Sequence, residues 1–105
     1  MITKDSNKLY YTVHLPMKGK TGEEISAALD YADAELKKKY LFACERINTF
    51  NPAYKGKPIL GLANSLSCMD SADICVFMSG WESTNGCVIE HEVARNYGKA
   101  ILYLK

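Results

Sequence analysis

Glu90 is the side chain whose placement points most directly to chemistry. On a helical wheel of about 100° per residue, with Cys87 at zero, Ile89, Val93 and Tyr97 fall at about 200°, 240° and 280° and mark the expected core face. Glu90, at about 300°, and Ala94, at about 340°, share that inward side. His91, Arg95 and Glu92, at about 40°, 80° and 140°, point toward water. Burying a charge is costly unless something pairs with it, so an inward carboxylate in the first turn of a helix needs a reason. Two are open. The carboxylate accepts hydrogen bonds from the free backbone N–H groups of a helix start, where the dipole favours it; or it is an ionised nucleophile or base held in a cleft.

The residues before Glu90 are individually weaker signals. Ser83, Thr84, Asn85 and Gly86 lead into a helix N-terminus, where backbone N–H groups can hold a phosphate or a sugar hydroxyl but where the same residue types serve as ordinary caps. Trp81, the only tryptophan, is suited to stacking on a base and equally to a lid or subunit contact. His14 ends an apolar stretch and can donate to a ligand or be structural. Asp73 reads as structural, capping the preceding turn. The stretch His14 to Lys20 has no Walker or dinucleotide fingerprint, which disfavours ATP and NAD sites of those kinds.

Secondary structure must bring these residues together. Lys8 to His14 (KLYYTVH) is aromatic and β-branched and reads as a first strand. Pro16, Gly19 and Gly22 break the chain, and Thr21 with Glu24 forms a capping box that starts a helix. Its stripe is Ile25, Ala28, Leu29, Ala32 and Leu36, and Lys37 to Lys39 read as its solvated C-terminal end. Arg46 to Phe50 is a weak second strand, ended by Asn51-Pro52. After a loop from Tyr54 to Pro58, Ile59 to Met69 predicts a second helix. Asp73 to Met78 is an apolar run of the kind buried on both faces of a sheet. Ser79 to Gly86 is a loop, Cys87 to Tyr97 a third helix with Gly98 as its C′ residue, and Ala100 to Leu104 a last strand.

This β-α-β-α-β-α-β order predicts one three-layer α/β/α domain over residues 1–105, a flavodoxin-like parallel sheet of about four strands in the order 2-1-3-4. Ligands of such sheets bind outside the carboxyl ends of the strands, where the order reverses. Here that is between the first and third strands, at the loops His14 to Thr21 and Ser79 to Gly86.

Composition narrows the partners. The 105 residues carry 13 Lys+Arg against 12 Asp+Glu, a formal net charge of +1, and are 48% hydrophobic and 24% charged. That balance argues against disorder and provides no general field for a nucleic-acid polymer or an anionic membrane. A chain of this length buries about 65% of its unfolded surface, enough for a core without staples. Cys44, Cys68, Cys75 and Cys87 contain no C-x-x-C pair, and His14 and His91 are the only histidines, so a metal site has little support. Met1 to Lys20 has no apolar signal region, and no apolar run approaches a membrane span. The expectation is a cytoplasmic protein with reduced thiols, Cys75 being a buried strand residue.

The run ADICVFMSGWESTNGCVIEHEVARNYGKAI resembles the small nucleoside 2-deoxyribosyltransferase-like domains, whose pattern is a strand opening with A-D, then G-W-E-x-S-x-G-A, x-x-E-x-x-x-A and G-K. The matching residues are Ala72, Asp73, Gly80, Trp81, Glu82, Ser83, Gly86, Glu90, Ala94, Gly98 and Lys99. Val13 to Met17 (VHLPM) looks like a variant of the Y-I-S-G-P-M-like end of the family's first strand, and Asn51-Pro52-Ala53 matches its N-P-A. The resemblance implies that Glu90 attacks the anomeric carbon of a 2-deoxyriboside, the acceptor being a second base or water. It also implies a homo-oligomer, because family members complete their sites across subunits. Thr84, six residues before Glu90, resembles the hydrolase branch that handles 5′-monophosphates.

Three departures stand out. Ser65, beside Asn64, occupies the place of the family's catalytic aspartate, and neither residue is a general acid near neutral pH. The family's nucleophile-orienting tyrosine has no match in register: Tyr10 and Tyr11 are nearby, but alignment on Pro16 puts Thr12 or His14 in that stretch. His14 and Leu15 replace small residues at the sugar. The expected site is therefore Glu90 as nucleophile, with Tyr11, His14, Met17, Asn51, Gly80, Trp81, Thr84, Asn85 and Gly86 around a nucleoside or nucleotide; Trp81 or Met17 would flank the base, and neither cofactor nor metal is needed. The alternative is a non-catalytic nucleotide-binding or sensing module on the same scaffold, which the serine at position 65 favours.

Overall fold

The computed structural model describes residues 8–39 and 44–105. Among them, strands β1 (Leu9–His14), β2 (Cys44–Arg46), β3 (Ile74–Met78) and β4 (Ala100–Leu104) alternate with helices α1 (Gly22–Lys39), α2 (Pro58–Asp70) and α3 (Asn85–Asn96), with short 3-10 turns at Pro52–Tyr54 and Trp81–Ser83. All strand pairs are parallel and the order is β2-β1-β3-β4. The architecture is the expected flavodoxin-like α/β sheet.

Side-chain alternation divides β1 between two layers. Tyr11, Val13 and Leu15 face α1 and pack with Ile25, Leu29, Ala32 and Leu36, the expected stripe with Ala28 at its margin. Tyr10, Thr12 and His14 face the opposite way, toward α2 and α3. There Met69, Cys75, Phe77 and Ala94 form a second cluster. Every residue of β3 is buried, as its unbroken apolar run requires, Cys75 included.

Local signals set the element ends. The Thr21–Glu24 box closes reciprocally, Glu24 N–H donating to Thr21 Oγ1 at 3.1 Å and Thr21 N–H to Glu24 Oε1 at 3.0 Å. Gly98, at φ +71, ends α3, where Lys99 N–H reaches the Ala94 carbonyl at 2.9 Å and Gly98 N–H that of Arg95 at 3.5 Å, a Schellman closure. Lys99 Nζ in turn donates to the carbonyls of Asp70 and Ala72 at the end of α2. Asp73 is structural by a different contact from the one expected. It accepts from Tyr10 N–H at 2.8 Å and ties the start of β1 to β3.

Three expectations are corrected. The second strand is Cys44–Arg46, upstream of the predicted Arg46 to Phe50. Ile47 N–H still reaches Tyr11 carbonyl at 2.8 Å, but Asn48 then accepts Phe50 N–H through its side chain at 3.2 Å. That local bond competes with ladder pairing. Helix α3 begins at Asn85, because Thr84 is already the extended N-cap residue, so Glu90 lies in the second turn. Its buried face is Cys87, Glu90 and Ala94, whereas Ile89 and Tyr97 are exposed. The small side chains of Cys87 and Ala94 let the helix approach the sheet; of the expected core face only Val93 packs against the cluster, while Ile89 and Tyr97 are turned outward. No helix among the described residues is long and apolar enough to cross a membrane.

Candidate active site

A cavity of about 940 Å³ opens at the carboxyl ends of β1 and β3, the expected switch point. Its walls are the two anticipated loops and a third, residues 49–58 between β2 and α2, together with the Gly61–Leu62–Ser65 face of α2. Glu90 lies at its base, 8% exposed.

Ser65 and His14 meet the Glu90 carboxylate at Oε2, and the Cys87 thiol also hydrogen-bonds the carboxylate. Ser65 Oγ–H donates to Oε2, and His14 Nδ1 stands 3.2 Å from the same oxygen. The far side of the imidazole, Nε2, is 2.8 Å from Thr12 Oγ1, and the ring stacks on Phe77 at 4.7 Å between centroids. Burial alone would depress the His14 pKa; hydrogen bonds with Cys75 and Glu90, and the charge of Glu90, outweigh it and raise the pKa from 6.5 to about 9. An imidazolium suits both contacts, since each ring nitrogen then carries a proton to donate. Glu90 lies in the second turn of α3, past the helix start that the first reading of an inward carboxylate required. The carboxylate is held by α2 and β1 side chains rather than by the amides of its own helix start.

Around this pair the expected residues separate. His14, Met17, Asn51, Thr84, Asn85 and Gly86 line the cavity with Glu90. Asn51 uses its side-chain oxygen to accept Ala53 N–H at 2.9 Å, which shapes the 49–58 wall. The Thr84 hydroxyl donates to the Trp81 carbonyl at 3.4 Å and makes no side-chain cap, so the first amides of α3 have no such cap beside the cavity. Cys87, also in the wall, has its thiol pushed up to about 11, chiefly by burial and further by Glu90.

Gly80, Trp81 and Tyr11 are not brought to the cavity. Gly80 and Trp81 border a separate depression of about 390 Å³ beside β4. Gly80 adopts φ +91, the left-handed backbone that favours glycine, and lies against the Pro16 ring of the other switch-point loop. Trp81 stacks on His91 at 4.1 Å and meets Phe77 edge-on at 5.5 Å, while His91 Nε2 lies 2.6 Å from the Tyr103 hydroxyl. His91 is therefore part of an aromatic cluster rather than turned to water. Tyr11 points to the α1 side, where its hydroxyl donates to Asp33 Oδ1 at 2.5 Å. Burial and the Asp33 carboxylate push the phenol far above its ordinary range.

Sequence reasoning missed Ser65 as the partner of Glu90, and it missed most of the 49–58 wall. A signal for Ser65 exists: Leu62, Ser65, Leu66 and Met69 recur at i, +3, +4, +7, and a serine on that stripe is the same anomaly as Glu90 on α3.

A family model described as a domain of unknown function (DUF4406) matches residues 57–103. No curated protein and no solved structure matches the chain. The similarity to that family runs from the start of α2 into β4, taking in Ser65 and Glu90 but neither β1 nor α1, so the His14 arm of the carboxylate's support lies outside it.

Proposed function

We propose that this domain binds a nucleoside or nucleotide and cleaves or transfers its N-glycosidic bond through Glu90. The observation that carries the reading is a single carboxylate at the base of a large cavity, met at Oε2 by both Ser65 and His14. Oε1, which neither of them engages, is the attacking atom. The resemblance of the Gly80 to Gly98 pattern to deoxyribosyltransferase-like domains supports the same assignment.

In the first step a carboxylate oxygen forms a bond to the anomeric carbon as the C–N bond breaks, and its electron pair leaves with the base. The departing nitrogen takes a proton from water, because His14 is sealed beneath Glu90 and Ser65 is no acid. In the second step water, or the nitrogen of another base, attacks the same carbon. The C–O bond to Glu90 breaks and the carboxylate is restored. Splitting one displacement into two lowers each barrier. His14 and Ser65 are positioning residues here, holding the carboxylate in one rotamer.

The test is mass-spectrometric detection of free base from a panel of nucleosides and nucleotides. Glu90→Gln should lower release by at least about a thousandfold with ligand binding retained. No release from any compound by the unaltered protein sinks the catalytic reading and leaves the binding-module reading, which the lack of a second carboxyl group among the described lining residues favours.

A further inference from the structure

The cavity rim repeats one motif. Lys18-Gly19-Lys20 follows β1 and Lys55-Gly56-Lys57 precedes α2. In each the glycine is left-handed, at φ +79 and +78. Each is closed by the same bond, Lys20 N–H to Met17 carbonyl at 3.0 Å and Lys57 N–H to Tyr54 carbonyl at 2.8 Å. These are β-turns with glycine third, and Lys55 at φ −57, ψ 126 has the second-position geometry of type II. Both turns run into a helix start, α1 at Gly22 and α2 at Pro58, where anionic groups are favoured.

All four lysines line the cavity, and Glu90 is the one acidic residue among the described lining residues. That carboxylate already faces His14. The ion pairs found among the described residues join Lys8, His14, Lys38 and Arg46 to acids; none involves the rim lysines. In a chain whose net charge is +1, four cations around one opening, of which Lys20 also acts on the Glu24 carboxylate through its charge, concentrate positive potential there. A lone phosphate dianion would match only part of that charge.

We propose that the paired Lys-Gly-Lys turns form an oligophosphate subsite, so that the cavity takes a nucleoside di- or triphosphate rather than a free nucleoside. The nucleoside part of this inference rests on the function proposed above; the oligophosphate part does not. Glycine at the third position frees each turn of side-chain bulk, and the flanking ammonium groups close on the phosphoryl oxygens as charge-assisted donors.

Isothermal titration with inorganic phosphate, pyrophosphate and tripolyphosphate tests the subsite directly. Tripolyphosphate should bind at least about tenfold tighter than phosphate and weaken with added salt. Lys18→Gln/Lys20→Gln and Lys55→Gln/Lys57→Gln should each lose about tenfold, while Lys37→Gln/Lys38→Gln/Lys39→Gln, at the far end of α1, should lose nothing. Equal affinity for the three anions, or an equal loss in the α1 control, overturns the proposal. Tripolyphosphate binding without base release from any nucleotide leaves the subsite standing and removes the glycosidic reading. Base release from a free nucleoside as fast as from its triphosphate, unchanged in both turn variants, removes the subsite and leaves the glycosidic reading.

Discussion

Strand β1 sends polar side chains to both faces of the sheet, and each meets a helix carboxylate. On the α1 face, Tyr11 donates to Asp33, which also takes Arg46 Nε at 3.0 Å. On the α2–α3 face, His14 and Ser65 hold Glu90. Both trios join a strand residue, a helix carboxylate and a third donor. They differ in what lies beyond the carboxylate. Asp33 and Arg46 side chains are 28% and 23% exposed at the sheet margin, joining α1, β1 and β2, and they do not line the switch-point cavity. Glu90 is nearly sealed except toward 940 Å³ of open space. A polar trio marks a stable junction; a trio at the base of a cavity, at the switch point of a parallel sheet, marks a place where chemistry can occur.

The largest effect should separate the two at once. Glu90→Gln abolishes base release, and Asp33→Ala leaves it unchanged in a panel assay run below the unfolding temperature of both variants. Equal loss in both would mean that the trios act through folding alone.

The next largest effect is a pH dependence belonging to one trio only. The folded His14 pKa is raised, from 6.5 to about 9, so the folded state binds the proton more tightly than the unfolded chain. The resulting stabilisation is fully present below about pH 6.5 and is lost as pH rises through about 9, up to about 3 kcal/mol in all. Urea unfolding between pH 6 and 9.5 should show this decline, and Glu90→Gln should flatten it. A flat profile in the unaltered protein would mean that His14 is neutral when folded.

How far these trios can be read from sequence follows from the range of the forces that make them. The capping box at Thr21, the Gly98 closure and the apolar run of β3 are local, and they place α1, the end of α3 and the central strand. Glu90 stands out because a wheel needs only its own helix. The wheel nevertheless chose the wrong apolar face, since Ile89 and Tyr97 lie outward while Cys87 and Ala94 face the sheet. Which face turns inward depends on how closely helix and sheet approach, and a periodicity does not contain that distance. The resemblance draws Tyr11 to the site, yet strand alternation puts it on the face opposite His14, three residues further on. The sequence leaves Trp81 open between a ligand stack and a lid or subunit contact, and its stacking partner is His91 ten residues later. The second strand was placed too late because Asn48 withdraws Phe50 N–H from the ladder. The Ser65–Glu90 pair joins residues 25 apart, and only the packing of α2 against α3 brings them together.

Asp33→Ala sharpens the structural side of the comparison. It strips Tyr11 and Arg46 of their shared acceptor and should cost about 2 kcal/mol in urea unfolding, with no change in oligophosphate affinity. A loss of affinity would place the α1 face in the ligand's reach after all.

The smallest effect tests whether Ser65 is more than packing. Ser65→Ala removes one donor from Glu90 and leaves His14 in place, so about 1.5 kcal/mol of stability is at stake. A purely structural serine would show that loss and nothing else. A positioning serine has a second signature: base release falls about tenfold in kcat with KM unchanged, because the carboxylate gains rotamers that do not point at the anomeric carbon. Ser65→Thr, which keeps the hydroxyl, should restore kcat more fully than it restores stability, since its extra methyl must be accommodated between α2 and α3. If Ser65→Ala and Ser65→Thr instead lower kcat in proportion to their losses of stability, His14 alone orients the carboxylate. The interaction then follows β1, outside the stretch similar to DUF4406.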